Sequence, residues 1–367
     1  MVRIPMIFIS QTEVQKLLNS GDYFVIFTED FSGHRLDWFI KILDECQKRN
    51  LGVIVLCRDA SRILGNEPSF DMKSLELFIC QSVRGGSRTF LRFFQQLDLN
   101  GAVFAIWDGD RYLLDLFILK QKYNVLFMRP YRTTSSIQGF IKYFLKISAI
   151  VLLKACTWHS IGLLSIPRDR HRLLKNSWIN DEVLLDADIN TEEQRSTSGV
   201  LRILVPGYIS SRKNPSLIIE ACEKLREQGY KDFILEFAGT IASDQVDLLR
   251  EKECDWLFVN NGYKTQEEFS GLLCQANLVV LPYDNRGSSG VVIHSLLLGN
   301  YVAITKSRAW ENLAEYSLGK LKLMNHSVEG IYATIKEILD SPTKNYNPVY
   351  PFEGDRESVI QFLLRKA

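Results

Sequence analysis

No Cys-x-x-Cys pair occurs in the 367 residues, although there are seven cysteines: Cys46, Cys57, Cys80, Cys156, Cys222, Cys254 and Cys274. Thiols scattered in this way exclude a disulfide scaffold and a zinc site recognisable by spacing; they read as buried thiols in a reducing cytosol. Charge of one sign is also missing, since 44 Lys and Arg against 43 Asp and Glu leave a net +1. That balance excludes a chain that is basic overall and binds nucleic acid by bulk charge. No cleavable signal peptide is expected, because "MVRIPMIFIS" runs into the polar "QTEVQK" too soon. The longest apolar run, "FIKYFLKISAIVLLKAC", is interrupted by Lys142 and Lys146 and makes a poor membrane span. There is no internal repeat and no low-complexity tract.

What is present is ample apolar material, 46% hydrophobic residues against 24% charged, in a length that fits two domains of ordinary size. Short runs of branched and aromatic residues recur: "YFVIFTE", "LGVIVLC", "LELFIC", "AVFAIW", "NVLFM" and "IGLLSI". Amphipathic segments such as "RLDWFIKILDECQKRN" lie between most of them. Strands alternating with helices predict parallel sheets covered on both faces. The polar, aperiodic "DADINTEEQRSTSG", Asp186 to Gly199, reads as a linker. The alternation then restarts with "VLRILVPG", "FILEFAG", "WLFVNNG", "LVVLPY" and "YVAITK". The expected fold class is α/β, two doubly wound, Rossmann-like domains facing a cleft. Their expected bounds are 1–190 and 199–345, with a tail helix in 346–367 packing back on the first domain.

In open parallel sheets ligands bind beyond the carboxyl ends of the strands, so motifs are sought there. In "VPGYISSRKNPSLIIEAC" a strand ends at Gly207 and a helix starts near Asn214-Pro215, with Pro at its favoured first position. Arg212 and Lys213 stand just before that helix, where its dipole disfavours cations. Either they are a solvated loop pair, or they share an anion with the helix start. In "YDNRGSSGVVIHSLLLGNYVAI", Ser288 or Ser289 can cap a helix opening at Gly290 and Val291, whose free N–H groups make a second anion site. Two anion sites suit a diphosphate. Gly239 in "FAGT", and Gly262 and Tyr263 in "NNGY", also sit at strand ends, where glycine is often only a turn. In the first domain Gly33 and His34 lie at a strand–helix junction. Asp108 and Asp110 of "WDGD" form the one Asp-x-Asp at a suitable strand end, or else a polar turn capping the next helix.

These residues resemble the nucleotide-sugar glycosyltransferases of family 4, which have the GT-B fold. The likeness is strongest over Val200 to Lys306 and holds only in outline before that. It implies that Lys213 binds the donor diphosphate, that "LEFAGT" and "NNGYKTQEEFSGLLCQANLVVLPY" are the family's strand and base-binding segments, and that Gly33 and His34 touch phosphate and acceptor. "RGSSGVVIHSLLLGNYVAI" falls on the family's most diagnostic motif, two Glu residues eight positions apart. Here the first is Arg286 and the second His294. The family's second Glu holds the ribose hydroxyls and its first contacts the donor sugar; a His can still donate and accept, whereas Arg286 cannot accept. His294, flanked by "VVI" and "LLL", can equally be a core histidine. Arg129 lies near a family His after the strand "NVLFMRP".

The resemblance implies sugar transfer with retention from a nucleotide-sugar co-substrate to a glycan, glycolipid or other hydroxyl acceptor, without a metal or further cofactor. Charge growing on the departing diphosphate would be stabilised by Arg212, Lys213 and the helix start at Gly290. Loss of both Glu residues raises the alternative of a catalytically inactive homologue acting as a binding or partner subunit. A GT-B epimerase or phosphorylase has no positive support in the residues. Between Arg111 and Lys175 there are 12 Lys and Arg against Asp115 and Asp169. With the aromatic "GFIKYFLK", this fits either a core helix with solvated lysines or an interfacial helix on an anionic membrane surface. The expected location is the cytoplasm, peripheral at the inner face of the membrane, with no nucleic-acid partner.

Overall fold

A computed structural model describes residues 6–28, 34–57, 77–81, 102–107, 109–119, 122–128, 137–157, 159–165, 178–180, 200–282, 289–341, 347–349 and 358–365. The chain divides into two compact units. Unit 1 comprises Met1–Ser165, His171–Asp181 and Asp355–Ala367; unit 2 comprises Ile166–Arg170 and Glu182–Gly354. The linker read at 186–199 lies outside the described residues.

Unit 1 holds β1 (Met6–Phe8), β2 (Tyr23–Thr28), β3 (Gly52–Cys57), β4 (Leu77–Gln81), β5 (Val103–Ile106), β6 (Asn124–Phe127), β7 (Ser160–Ser165) and β8 (Trp178–Asn180). They form one sheet in the order β1-β4-β3-β2-β5-β6-β7-β8, with every described pair parallel. Strands β2, β5 and β6 are buried at every position, as runs of Val, Ile and Phe covered on both faces must be. The helices are α1 (Gln11–Leu18), α2 (His34–Lys48), the single turn α3 (Gly109–Tyr112) and α4 (Ile137–Cys156), with a 3₁₀ turn at Asp115–Ile118.

Unit 2 holds β9 (Leu201–Pro206), β10 (Phe233–Gly239), β11 (Leu257–Asn261), β12 (Leu278–Leu281), β13 (Tyr301–Thr305) and β14 (Leu321–Met324) in the parallel order β11-β10-β9-β12-β13-β14. Its helices are α5 (Pro215–Glu227), α6 (Ser243–Lys252), α7 (Gln266–Gln275), α8 (Gly290–Leu297), α9 (Arg308–Tyr316) and α10 (Val328–Leu339). Three of these strands, β1, β8 and β14, escape the sequence pattern. Two have three residues each, and β14 alternates Leu with Lys322.

Both sheets are doubly wound, with β1 of unit 1 added at the edge beside β4. In unit 2 the chain goes from β9 to β10 on one side and from β12 to β13 on the other, so the switch lies between β9 and β12. In unit 1 it lies between β2 and β5. Crevices at the carboxyl ends of such strand pairs are where doubly wound sheets take ligands. The two parallel sheets and their helices are the two Rossmann-like halves of a GT-B fold.

The last helix, α11 (Val359–Leu363), belongs to unit 1. Phe362 lies so close over β7 that a Cβ at Gly162 would stand 2.7 Å from its ring. The Asn124 side-chain amide donates to the carbonyls of Leu363 at 3.0 Å and Arg365 at 2.7 Å, satisfying groups the helix end leaves open. Five cysteines are buried, but Cys156 and Cys254 are exposed, which corrects the reading of all seven as core thiols. Phe362→Ala should cost about 3–5 kcal/mol, the usual loss for a fully buried Phe. Urea unfolding followed by the fluorescence of Trp38 and Trp107 in unit 1 should show the lower midpoint; an unshifted one would mean that α11 adds nothing to unit 1.

Candidate functional site

The carboxyl edge of unit 2 is built from three glycines at the ends of adjacent strands. Gly207, Gly239 and Gly262 have φ of +86°, +134° and +142°, values that L side chains rarely adopt. They are stitched in series: Gly207 N–H donates to the Ala238 carbonyl at 2.8 Å and Gly262 N–H to the Gly239 carbonyl at 3.1 Å. A Cβ on Gly239 would lie 2.2 Å from the Gly207 carbonyl oxygen. The Asn261 side chain accepts from the Ile241 N–H at 3.1 Å, tying the next turn to the edge. Tyr263, just beyond Gly262, is exposed.

Arg212 and Lys213 follow on a 3₁₀ turn, Ser211–Lys213. Asn214 then takes a left-handed conformation, φ 42° and ψ 61°, and Pro215 opens α5. The Asn214 amide donates to the His326 ring at 2.8 Å, which fixes this entry. Arg212 points to solvent, but Lys213 folds back over Gly207. Its Nζ donates to the Pro206 carbonyl and lies 3.5 Å from where a Gly207 Cβ would be. A Cβ there would only touch the amine at ordinary contact distance; the φ of +86° is what favours glycine at this position. Removal of the ammonium from water, with the Arg212 charge as a smaller cause, pushes the Lys213 pKa down to about 7.

Across the switch point, Ser289 is the N-cap residue of α8 with extended backbone, φ −134° and ψ 105°. It is buried, and its side chain makes no capping hydrogen bond, contrary to the expected Ser cap. Gly290 and Val291 open the helix, so their N–H groups have no partner within it. His294 is 4% exposed, and its ring is tilted against Phe269 at 6.4 Å between centroids. It therefore sits among core residues on α8. Arg286 and Ser288 lie outside the described residues.

In unit 1, His34 is the first residue of α2, directly beyond the carboxyl end of β2. Gly33, Asp108 and Arg129 lie outside the described residues. Asp110, on α3 past β5, forms an ion pair with Lys146 of α4. This pair ties a strand-end turn to a helix, a structural role for the Asp.

Two residues that the sequence reading missed stand at the end of β13, next to β12. Thr305 Oγ1 and Ser307 Oγ are buried and make no hydrogen bond, and Ser307 is the N-cap residue of α9 without a capping bond. The available signal was a Thr closing a strand, with a Ser two residues on before a helix. Among the described residues, no group of three or more His, Cys, Asp or Glu side chains could hold a metal ion.

No protein-family model matches the chain, and no curated protein matches it. Solved structures do. The UDP-GlcNAc 2-epimerase from Neisseria meningitidis bound to UDP-GlcNAc superposes with a TM-score of 0.59 at 12% identity, covering 91% of this chain and 96% of that one. A glycosyltransferase from Rickettsia africae gives 0.57 at 12%, covering 88% and 90%. The Anabaena protein HepE in complex with UDP and glucose gives 0.56 at 12%, covering 93% and 96%. At such identities the likeness is one of fold.

The depressed pKa of Lys213 has a thermodynamic consequence with a definite sign. Between about pH 7 and the ordinary lysine value of 10.5, the unfolded chain holds a proton that the fold lacks. Stability then rises with pH across that window. From about pH 6 to about pH 9, wild type should gain on the order of 2 kcal/mol more than Lys213→Met. Parallel urea titrations check this; identical pH profiles would show that Lys213 keeps its ordinary pKa.

Proposed function

We propose that the chain binds a nucleotide sugar on the carboxyl edge of unit 2 and transfers the sugar, with retention, to a hydroxyl of a glycan, glycolipid or similar acceptor. One observation supports this above the rest. Lys213 Nζ lies against the Gly207 backbone on one side of the switch point, and the α8 N-terminus opens on the other. A diphosphate between them would meet a cation and free N–H groups. As the glycosidic bond breaks, the leaving diphosphate gains charge. Groups already in place stabilise that charge without reorganising, usually the largest catalytic contribution. Arg212 would add a second cation from the exposed side of the turn. Tyr263, beyond Gly262, would face the base, and His294 the ribose.

His34 and Gly33, at the switch point of unit 1, would serve acceptor and phosphate. No metal or further cofactor enters this reading. It includes peripheral attachment to an anionic membrane surface at the inner face of the membrane, where a lipid-linked acceptor would lie.

The second reading, a catalytically inactive homologue that only binds, draws on the replaced motif residues and on the burial of His294. Similarity in fold to the Neisseria meningitidis UDP-GlcNAc 2-epimerase makes epimerisation a further outcome to assay. Incubation with UDP-sugars, with product analysis for transfer, hydrolysis and epimer, separates the three. Binding without any product would leave the inactive homologue.

Calorimetry with UDP tests the site itself. Lys213→Ala should weaken binding by about 1.5–3 kcal/mol, the scale of a charged hydrogen bond. Binding a diphosphate should raise the Lys213 pKa and take up a proton, so affinity should fall above about pH 7, by up to tenfold per pH unit. Unchanged affinity in the variant would remove Lys213 from the site.

Arg286 offers planar bidentate recognition of a carboxylate or phosphate. If it reads a charged sugar or acceptor, Arg286→Gln should alter selectivity between charged and neutral substrates and leave UDP affinity nearly intact. Loss of UDP affinity alone would place Arg286 on the diphosphate instead.

A further inference from the structure

α4 turns an apolar face to water. Phe144 and Leu145 are each 61% exposed, Ile141 51% and Leu152 55%, and Val151 is exposed with them. At 3.6 residues per turn these positions, with Ser148 and Ala155, span an arc of about 120° that holds no charged residue. The opposite face, Ile147, Ile150 and Leu153, is buried in unit 1. Lys142 lies about 60° beyond one edge of the arc and Lys154 about 60° beyond the other, towards the buried side, and both are exposed. The helix has no acidic residue along its 20 positions. Lys146 is turned away from the face, to Asp110.

A second element extends the surface. Leu114, Phe117 and Ile118, on and before the 3₁₀ turn that packs beside α4, are exposed, Leu114 at 73%. The turn is held in place: the His159 ring donates from Nε2 to the Leu116 carbonyl at 2.9 Å. Exposed Lys122 follows it.

We propose that this face of unit 1 lies in the headgroup region of an anionic bilayer, α4 parallel to the membrane plane. The side chains match that solvent: aromatic and aliphatic groups toward the acyl boundary, lysines at the rim toward lipid phosphates. No described helix is long and apolar enough to cross a membrane, and the buried inner face of α4 prevents it from doing so. A second copy of the chain is the poorer occupant. Two-fold pairing through α4 would set one purely cationic helix against another, whereas lipid phosphate neutralises those charges. The inference deepens the membrane attachment in the functional reading above and is independent of sugar transfer. A chain that binds UDP and ignores vesicles would sink this proposal and leave the nucleotide site standing.

The test is co-sedimentation with vesicles of phosphatidylcholine alone and of phosphatidylcholine mixed equally with phosphatidylglycerol. Wild type should partition onto the mixed vesicles and progressively less as salt rises. Phe144→Gln/Leu145→Gln should reduce partition about tenfold or more, and Lys142→Glu should reduce it on the mixed vesicles only. Both variants alter exposed positions, and an unchanged urea-unfolding midpoint of unit 1 would confirm that they are folded. Equal partition of wild type and the double variant, or no binding to mixed vesicles at low salt, overturns the proposal. So does a wild-type dimer that the double variant dissolves, since the face would then belong to a second copy.

Discussion

One steric constraint organises the candidate nucleotide edge: there is no room for a side chain at residue 239. A single added carbon would overlap the Gly207 carbonyl oxygen at 2.2 Å, well inside van der Waals contact. The two strand ends can therefore approach backbone to backbone, and the positive φ at both positions turns the following loops outward together. Ile209 N–H then bonds to the Thr240 carbonyl at 2.9 Å, and Ala242 N–H to that of Ile209 at 2.8 Å. These bonds hold the loop that carries Arg212 and Lys213. The position of the lysine amine thus depends on a glycine 26 residues further along the chain.

The same economy of space governs Lys213. An ammonium folded over backbone loses water contacts and lies near the Arg212 charge, which explains why its pKa falls. An anion in the same place would restore the charge. Arg212, one residue away, is exposed to water, where it can attract an anion. Adjacent cations on one turn therefore have different physical characters, set by which side of the backbone each faces.

Much of this fold is legible in the residues because parallel strands buried on both faces need unbroken apolar runs, and those stand out. β1, β8 and β14 do not stand out. Three residues carry no period, and Lys322 in β14 looks like a loop until its pairing to β13 is seen. At the site, Pro215 marks a helix start, and the glycines mark strand ends without saying what binds there. Local pattern does not say where a side chain points: the fold of Lys213 over Gly207 and the burial of Ser289 and His294 are long-range outcomes. Nor does composition separate an apolar helix face that is covered from one that is not. The residues of α4 read equally as core or interface, and only its packing on one side decides which of them face water.

The division of the chain sets an order for its assembly. Unit 2 is essentially one continuous stretch, whereas unit 1 takes its first 165 residues and His171–Asp181 and then waits for residues 355–367. Until those emerge, Asn124 has no helix-end carbonyls to bond, and the Gly162 position of β7 has no Phe362 above it. Contacts separated by 239 residues in sequence close a very long loop, whose entropy must be met before the packing is gained. Unit 2 has no such debt, because each of its strands pairs within its own stretch. During synthesis the second unit can therefore fold while the first still lacks its last helix, and the apolar exposure of unit 1 is greatest in that interval. A bilayer at α4 would not substitute for α11, because α11 packs on β6, β7 and α2 and not on the exposed face. Completion of unit 1 and its attachment to a surface are then separable steps, the first governed by Phe362 and Asn124 and the second by Phe144, Leu145 and their flanking lysines.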